Sequence, residues 1–244
     1  MYKKFIDESE VFRTNENLEI EIVELRSSLE TAKIAIVDNF YANPDAVREL
    51  ALMIPPTTNE RITSYLPSGK TSGRINAFYL MDSLGPVYDD IIRRAFPEIV
   101  FPEFQKSGRN DQIISSFMRA TFMVNVMTSE NLPPRVPHID CPDYRAFASA
   151  VFLNTDDECA GGTAFYSFNG KIFSEKNYNS IDIAEKIEPT KFVIDDEGDW
   201  KKLYVAEMKY NRMIIYQQNI FHNAYVDESM FNGGVYRLNQ QFFI

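Results

Sequence analysis

Residues 211–216 read Asn-Arg-Met-Ile-Ile-Tyr, and the chain then reaches His222, one of only two histidines among its 244 residues. The short apolar run in this stretch is rich in branched residues and is followed by polar residues, which predicts a buried strand. The stretch therefore predicts a sheet core with a rare histidine just beyond the end of one strand.

Further stretches with a strand-like period of two surround this one. They comprise residues 119–126, 147–153, 163–168, 213–217 and 235–243, and residues 32–37 predict one more buried strand. Aromatic residues make up 14% of the chain, which suits packing between sheets. The C-terminal half is thus predicted to form a mainly β core.

Two helices are predicted before this run of strands. Asn43 is a candidate N-cap with Pro44 at the first helical position, and Pro55-Pro56 would end this helix. A second helix is predicted to begin near Pro86, because apolar residues follow it at helical spacing. Helices followed by strands predict an α+β protein in which helices support one side of a β core.

The length is sufficient for one well-buried domain. Within a single domain 1–244, residues 1–118 are predicted to be helix-rich support with the first strands, and residues 119–244 the β core. A long insertion at about 174–199 is polar, charged and weakly patterned. It is either a surface loop or a lid that selects the substrate, because long loops in compact domains are often functional.

Composition and charge argue against several classes of protein. No stretch approaches the roughly 18 unbroken apolar residues of a membrane span, and the N-terminus lacks the apolar core of a secretory signal. Cys141 and Cys159 are interpreted as reduced thiols in a cytoplasmic protein, although the sequence also permits a disulfide. The net charge of −10 and the scattered basic residues argue against nucleic-acid binding. Neither a membrane nor a nucleic acid is expected as a partner, and the sequence carries no signal for an oligomeric state.

His138 and Asp140 form an H-x-D triplet just before a predicted strand, in the stretch Arg135-Val136-Pro137-His138-Ile139-Asp140. In extended backbone, residues i and i+2 project from the same face, about 7 Å apart along the strand. Both side chains can therefore converge on one metal ion while Ile139 turns into the core. The triplet alone is a weak signal, because it arises by chance in many sequences.

His222 makes this signal much stronger. Two histidines and one carboxylate that leave positions open on the metal form the facial triad of non-haem Fe(II) oxygenases. Zinc hydrolases use a similar number of ligands, so the triad does not by itself select the reaction. Arg237, 15 residues after His222, favours an oxygenase. A buried guanidinium binds a carboxylate through two hydrogen bonds, which suits the distal end of a dicarboxylate co-substrate.

The order of these residues resembles the prolyl-hydroxylase-like branch of the Fe(II)/2-oxoglutarate-dependent oxygenases, over residues 33–42 and 119–244. Family members show H-x-D, a strand that ends in Leu-Asn, a Gly-Gly pair followed by a phenylalanine, a distal histidine, and an arginine or lysine. The corresponding residues here are His138-Ile139-Asp140, Leu153-Asn154, Gly161-Gly162-Thr163-Ala164-Phe165, His222 and Arg237. Residues 211–216 resemble the strand before the distal histidine, and residues 36–40 resemble the opening strand and turn.

The resemblance implies a double-stranded β-helix, the jelly-roll or cupin-like fold, with Fe(II) held by the catalytic residues His138, Asp140 and His222. It implies 2-oxoglutarate as co-substrate with O2, release of succinate and CO2, and hydroxylation of a C–H bond in an amino-acid-like, peptidyl or other small-molecule substrate. Arg237 would bind the co-substrate, and Asn125 and Tyr216 would line its pocket or serve as core.

Two features depart from the family pattern. The interval from His222 to Arg237 is longer than is usual, and a predicted turn at residues 227–234 would absorb the excess. Arg212 and Arg119 are therefore alternative anchors for the co-substrate. The extra sequence at about 174–199 means that no substrate can be carried over from the family.

Two other functions remain open at this point. A cupin-like metalloprotein that uses Zn or Mn for hydrolysis or isomerisation would keep the triad but would not need Arg237. A non-catalytic jelly-roll binding module would need neither the triad nor Arg237. A nucleic-acid demethylase of the same superfamily is disfavoured by the acidic charge.

Overall fold

A computed structural model describes residues 7–53, 79–80, 84–99, 119–125, 137–174, 195–227, 229–231, 235 and 237–243. The helices of this described part are α1 (Glu8–Val11), α2 (Pro44–Met53) and α3 (Gly85–Ala95). Its strands are β1 (Ile20–Arg26), β2 (Thr31–Val37), β3 (Tyr79–Leu80), β4 (Arg119–Asn125), β5 (Phe147–Phe152), β6 (Gly162–Phe168), β7 (Trp200–Glu207), β8 (Met213–Gln217), β9 (His222–Tyr225) and β10 (Arg237–Phe243).

The strands pair antiparallel in two sheets, so the described fold is mainly β. The larger sheet has the order β1-β2-β8-β5-β10-β4-β3, and the smaller sheet has the order β7-β6-β9. A bridge between residues 138 and 222 places His138 beside β9 in the smaller sheet. From β4 onwards the chain therefore passes repeatedly between the sheets, which is consistent with a jelly roll.

The central strands β2, β5 and β8 of the larger sheet are mostly buried on both faces, and their residues alternate between two layers. On β8, Ile214 and Tyr216 pack with Phe165 of the smaller sheet, whereas Met213 and Ile215 pack with the helices. The helix layer contains Val47, Leu50 and Ala51 of α2 and Tyr88, Ile91, Ile92 and Ala95 of α3. The layer between the two sheets is the interior in which the metal ligands are expected.

Both predicted helices and all six predicted strands are observed, with ends within two residues of those expected. Asn43 caps α2, because its Oδ1 accepts a hydrogen bond from the backbone N–H of Ala46 at 3.3 Å. Pro55-Pro56 and most of the insertion at 174–199 lie outside the described residues. Four further strands, β1, β3, β7 and β9, were not predicted. On β1 and β7, exposed polar residues interrupt the apolar pattern.

The cysteines and the helices of the described part have two further properties. Cys141 and Cys159 are free thiols in the structure. None of the helices in the described part combines the length and the apolar character needed to cross a membrane.

An ion pair ties the end of β2 to the start of β8. The Nε and Nη2 of Arg212 donate to the two carboxylate oxygens of Asp38 at 2.6 and 3.1 Å, and the Nζ of Lys209 donates to the same carboxylate at 2.7 Å. These hydrogen bonds, chiefly those from Arg212, outweigh the effect of burial and lower the pKa of Asp38 to about 2. Arg212, one of the two alternative co-substrate anchors, is therefore engaged with Asp38.

We expect the substitution Asp38→Asn to lower the free energy of unfolding at neutral pH by about 1–2 kcal/mol, a value reduced for the partial exposure of the pair. Because the folded state depresses this pKa, the stabilisation is present above the ordinary aspartate pKa and is lost as the pH falls towards 2. Urea unfolding of both proteins between pH 7 and pH 3 should show the difference shrinking below about pH 4. Asp195→Asn, which removes an exposed partner of Lys202, is the control and should change little. A difference that persisted undiminished at pH 3 would contradict the role given to this ion pair.

Candidate metal centre

The side chains of His138, Asp140 and His222 converge at one end of the interior between the sheets. One ligand atom from each lies within 4.8 Å of the others. The Nε2 of His138 is 3.8 Å from Oδ1 of Asp140, and the Nε2 of His222 is 3.4 Å from Oδ2 of the same carboxylate. Because metal–ligand bonds are about 2 Å long, donor atoms at these separations can share one ion. The three residues can therefore hold a metal.

Backbone pairing brings the two histidines together. The N–H of each donates to the C=O of the other at 2.9 Å, and the ring centroids are 4.6 Å apart. Such a reciprocal pair places two side chains next to each other on one face. Ile139, between the ligands, turns to the opposite side and packs with Ala164 and Tyr166, which agrees with the i, i+2 argument.

The turn between β8 and β9 contacts two of the candidate ligands, His222 and Asp140. The Nδ1 of His222 lies 2.9 Å from the carbonyl oxygen of Ile220, and the backbone N–H of Asp140 donates to the carbonyl of Gln218 at 2.9 Å. When Nδ1 carries the proton that Ile220 accepts, the lone pair of Nε2 is directed at Asp140. The turn thus orients the His222 imidazole towards Asp140, as a shared metal ion would require.

The site is buried on one side and open on the other. His222 is 6% exposed, whereas the side chain of His138 is 39% exposed. Burial disfavours the imidazolium form of His222, but the Asp140 carboxylate and the Ile220 carbonyl outweigh it and raise the pKa of His222. Access for a substrate is expected on the side of His138.

Arg237 begins β10 and is 3% exposed. Its Nη2 donates to the carbonyl oxygen of Gly162 at 3.3 Å, and its guanidinium carbon lies 5.8 Å from the centre of the Phe152 ring. A Cβ at Gly162 would come within 2.1 Å of the carbonyl oxygen of Ala206, so β6 can pass this point only with glycine. Glycine at residue 162 therefore lets β6 pack closely against β7 at the point where β6 contacts Arg237.

The Leu-Asn motif fixes the neighbour of Arg237. The Oδ1 of Asn154 accepts a hydrogen bond from the backbone N–H of Leu238 at 2.6 Å, and the N–H of Leu153 donates to the carbonyl of Leu238 at 3.0 Å. These hydrogen bonds join the start of β10 to the end of β5. Both motifs that carried the family resemblance thus position the backbone around Arg237.

The separation between Arg237 and the histidines follows from the register of the smaller sheet. Gly162, which binds Arg237, lies opposite Tyr225, and Phe165 lies opposite His222. Three residues of strand correspond to about 10 Å. Tyr216 lies in this interval, with its ring 4.7 Å from that of His222. Burial and the charge of Asp140 raise the pKa of Tyr216 well above its ordinary value, and Arg237 acts in the opposite direction, so the ring lies near both charges.

Sequence reasoning missed Asn239, two residues beyond Arg237 on the same face of β10. Its side chain is fully buried, and neither its Nδ2 nor its Oδ1 has a hydrogen-bond partner among the residues that the structure describes. Ala148 and Ala150, whose side chains are small, belong to the same interior layer. The signal in the sequence is the i, i+2 spacing of Arg237 and Asn239, the same spacing as that of His138 and Asp140.

The register also places the remaining candidates. Asn125 of β4 lies directly across from Arg237. Arg119, the second alternative anchor, pairs with Phe243 at the other end of β10, about 20 Å along the strand from Arg237. Arg237 is therefore the candidate anchor that lies nearest to the predicted pocket residues.

Comparison with known proteins identifies the family. A model of a protein family of unknown function (DUF6445) matches residues 81–232, more than half of the chain, so the protein belongs to this family. The match includes the three candidate ligands and ends before Arg237. No curated protein matches the sequence.

Several solved structures are distantly similar. A prolyl 4-hydroxylase from Phytophthora capsici is 10% identical over 86% of this chain and 57% of that chain, with a TM-score of 0.41. HygX from Streptomyces hygroscopicus, solved with nickel and 2-oxoglutarate bound, is 8% identical over 86% of this chain and 81% of that chain, with a TM-score of 0.44. EctD from S. alaskensis, solved with bound Fe, is 11% identical over 96% of this chain and 86% of that chain, with a TM-score of 0.44.

Proposed function

We propose that this protein is an Fe(II)- and 2-oxoglutarate-dependent dioxygenase. It hydroxylates a C–H bond of an amino-acid-like, peptidyl or other small-molecule substrate, with release of succinate and CO2. The observation that carries the proposal is the convergence of His138, Asp140 and His222 at one end of an interior that contains the buried Arg237 about 10 Å further in.

The donor set fits the metal. Imidazole and carboxylate ligands suit Fe(II), and two histidines with one carboxylate leave positions for a bidentate co-substrate and O2. When bound, the iron and the co-substrate supply the oxidation chemistry. His138, Asp140 and His222 hold the ion, and the carbonyl of Ile220 keeps the ring of His222 in the ligating orientation.

The interior fits an extended five-carbon dicarboxylate. Its two carboxyl groups are roughly 6 Å apart, and a metal–oxygen bond and an N–H···O hydrogen bond add about 5 Å in total, which is close to the interval along β6. Arg237 binds the distal carboxylate through its guanidinium, and the Nδ2 of Asn239 is available as a further donor. Tyr216, Phe152 and Phe165 exclude water from the space between them.

The alternatives leave part of this arrangement without use. A Zn or Mn hydrolase or isomerase uses the three ligands but has no need of Arg237 and Asn239 inside the sandwich. A non-catalytic binding module has no need of the open metal positions. Of the three functions, only the dioxygenase uses both the three metal ligands and the pair Arg237 and Asn239.

The test begins with apo-protein loaded anaerobically with Fe(II) or Zn(II) and then given 2-oxoglutarate. A weak visible charge-transfer band is expected for the Fe(II) sample alone. Aerobic incubation with a panel of amino acids, peptides and small metabolites should then yield succinate, and His138→Ala should yield none. Absence of the band together with absence of succinate across the panel would rule out the proposed function.

A further inference from the structure

Gln218 makes hydrogen bonds to both ends of the chain segment that carries Asp140. Residues 140–147, which we term the ligand loop, run from the metal ligand to the first residue of β5. The carbonyl of Gln218 accepts hydrogen bonds from the N–H of Asp140 at 2.9 Å and of Cys141 at 3.4 Å. The N–H of Gln218 donates to the carbonyl of Ala146 at 2.8 Å, and its Nε2 donates to the carbonyl of Phe147 at 2.8 Å.

Gln218 is suited to this role because it is buried and lies next to the other ligands. It is 7% exposed, so water has little access to replace the bond from its side chain to Phe147. It also lies four residues before His222, in the same turn that orients the His222 ring through Ile220. A displacement of Gln218 would therefore change the position of Asp140 relative to His222.

We propose that Gln218 is a positioning residue for the metal centre: its backbone binds Asp140 and Ala146, and its buried side chain binds Phe147 and keeps residue 218 in place, so that Asp140 meets His222 at the distance one ion requires. This inference rests on the proposed function. Metal sites demand ligand positions accurate to a few tenths of an ångström. Loss of an outer-shell partner that orients a ligand typically weakens metal binding about 10- to 100-fold.

The neighbouring Gln217 provides a matched control. Its Nε2 also donates to the ligand loop, to the carbonyl of Tyr144 at 2.7 Å, but this bond is exposed and reaches the middle of the loop instead of its ends. The same substitution at residues 217 and 218 therefore distinguishes loss of a hydrogen bond to the middle of the ligand loop from loss of a hydrogen bond to its end.

The experiment compares Gln218→Met, which keeps an unbranched side chain of similar length but removes the donor, with Gln217→Met and Asp38→Asn. Titration calorimetry of the apo-proteins with Mn(II) should show a dissociation constant about 10-fold higher for Gln218→Met, the lower end of the range for outer-shell partners, because the backbone bond between residue 218 and Asp140 remains. Gln217→Met and Asp38→Asn should bind within about twofold of wild type, because neither touches the ends of the loop. Thermal unfolding of the apo-proteins separates loss of stability from loss of affinity.

The inference is overturned if Gln218→Met binds Mn(II) as tightly as wild type, or if Asp38→Asn weakens binding equally, because the effect would then follow global stability. Should Gln218→Met not fold, Gln218→Asn, which keeps the amide on a shorter stem, is expected to show a smaller loss in the same direction. Failure of the wild-type protein itself to bind Mn(II) would reject the proposed function and, with it, this inference. Binding by wild type with no difference in either Gln218 variant would reject this inference alone.

Discussion

Replacement of His222 by alanine is expected to abolish succinate formation and to weaken metal binding by more than the roughly 10- to 100-fold typical of an outer-shell partner. His222 supplies one of the three candidate ligand atoms, and it is the most buried of the three. No other histidine exists in the chain besides His138, so no imidazole can take its place. The measurements are Mn(II) titration of the apo-protein and succinate analysis after aerobic incubation with Fe(II) and 2-oxoglutarate.

The fold of His222→Ala is expected to survive, because the contact between residues 138 and 222 is made by backbone groups that alanine retains. Circular dichroism should therefore match that of the wild-type protein. His138→Ala is the parallel variant, and it should lose metal binding with less effect on packing, because its side chain is 39% exposed. Retention of wild-type metal affinity by both variants would mean that any metal binds elsewhere in the protein.

Replacement of Arg237 by leucine is expected to weaken 2-oxoglutarate binding about 100- to 4000-fold and to leave metal affinity nearly unchanged. Removal of one partner of a buried ion pair costs about 3–5 kcal/mol, and each 1.4 kcal/mol corresponds to a factor of ten. The candidate ligands keep their own hydrogen bonds to Gln218 and Ile220, and Arg237 contacts Gly162, three residues along β6 from the residue that pairs with His222. Anaerobic titration of the Fe(II)-loaded protein, followed by the charge-transfer band, measures the co-substrate affinity directly.

Two further arginine variants make this test specific. Arg237→Lys keeps the positive charge but loses the planar pair of donors, so an intermediate affinity is expected. Arg212→Leu should lower stability through loss of the Asp38 ion pair and leave 2-oxoglutarate binding unchanged. The opposite pattern, with Arg212→Leu weakening co-substrate binding and Arg237→Leu having no effect, would transfer the anchor to Arg212. Turnover that is independent of Arg237 would favour a hydrolase or isomerase.

The predictable part of the fold was encoded by neighbours in the sequence. A period of two predicted β5, β6 and β8, because alternate residues of each strand face opposite sides of its sheet. Asn43 and Pro44 marked the start of α2, because the first turn of a helix needs a side-chain acceptor and tolerates proline. β9 was missed because four residues are too short to show a period.

The sequence by itself determined which side chains are candidates: two histidines, the carboxylate at i+2, and an arginine on the last strand. It could not determine which of three arginines lies near the pocket, because Arg212 is occupied by Asp38, a residue 174 positions away. The sequence also could not reveal that Asn239 is a buried amide with no hydrogen-bond partner among the described residues. It could not reveal that Gln218 forms hydrogen bonds to the ligand loop. These properties arise when the register of two sheets brings distant segments together, and no local pattern encodes that register.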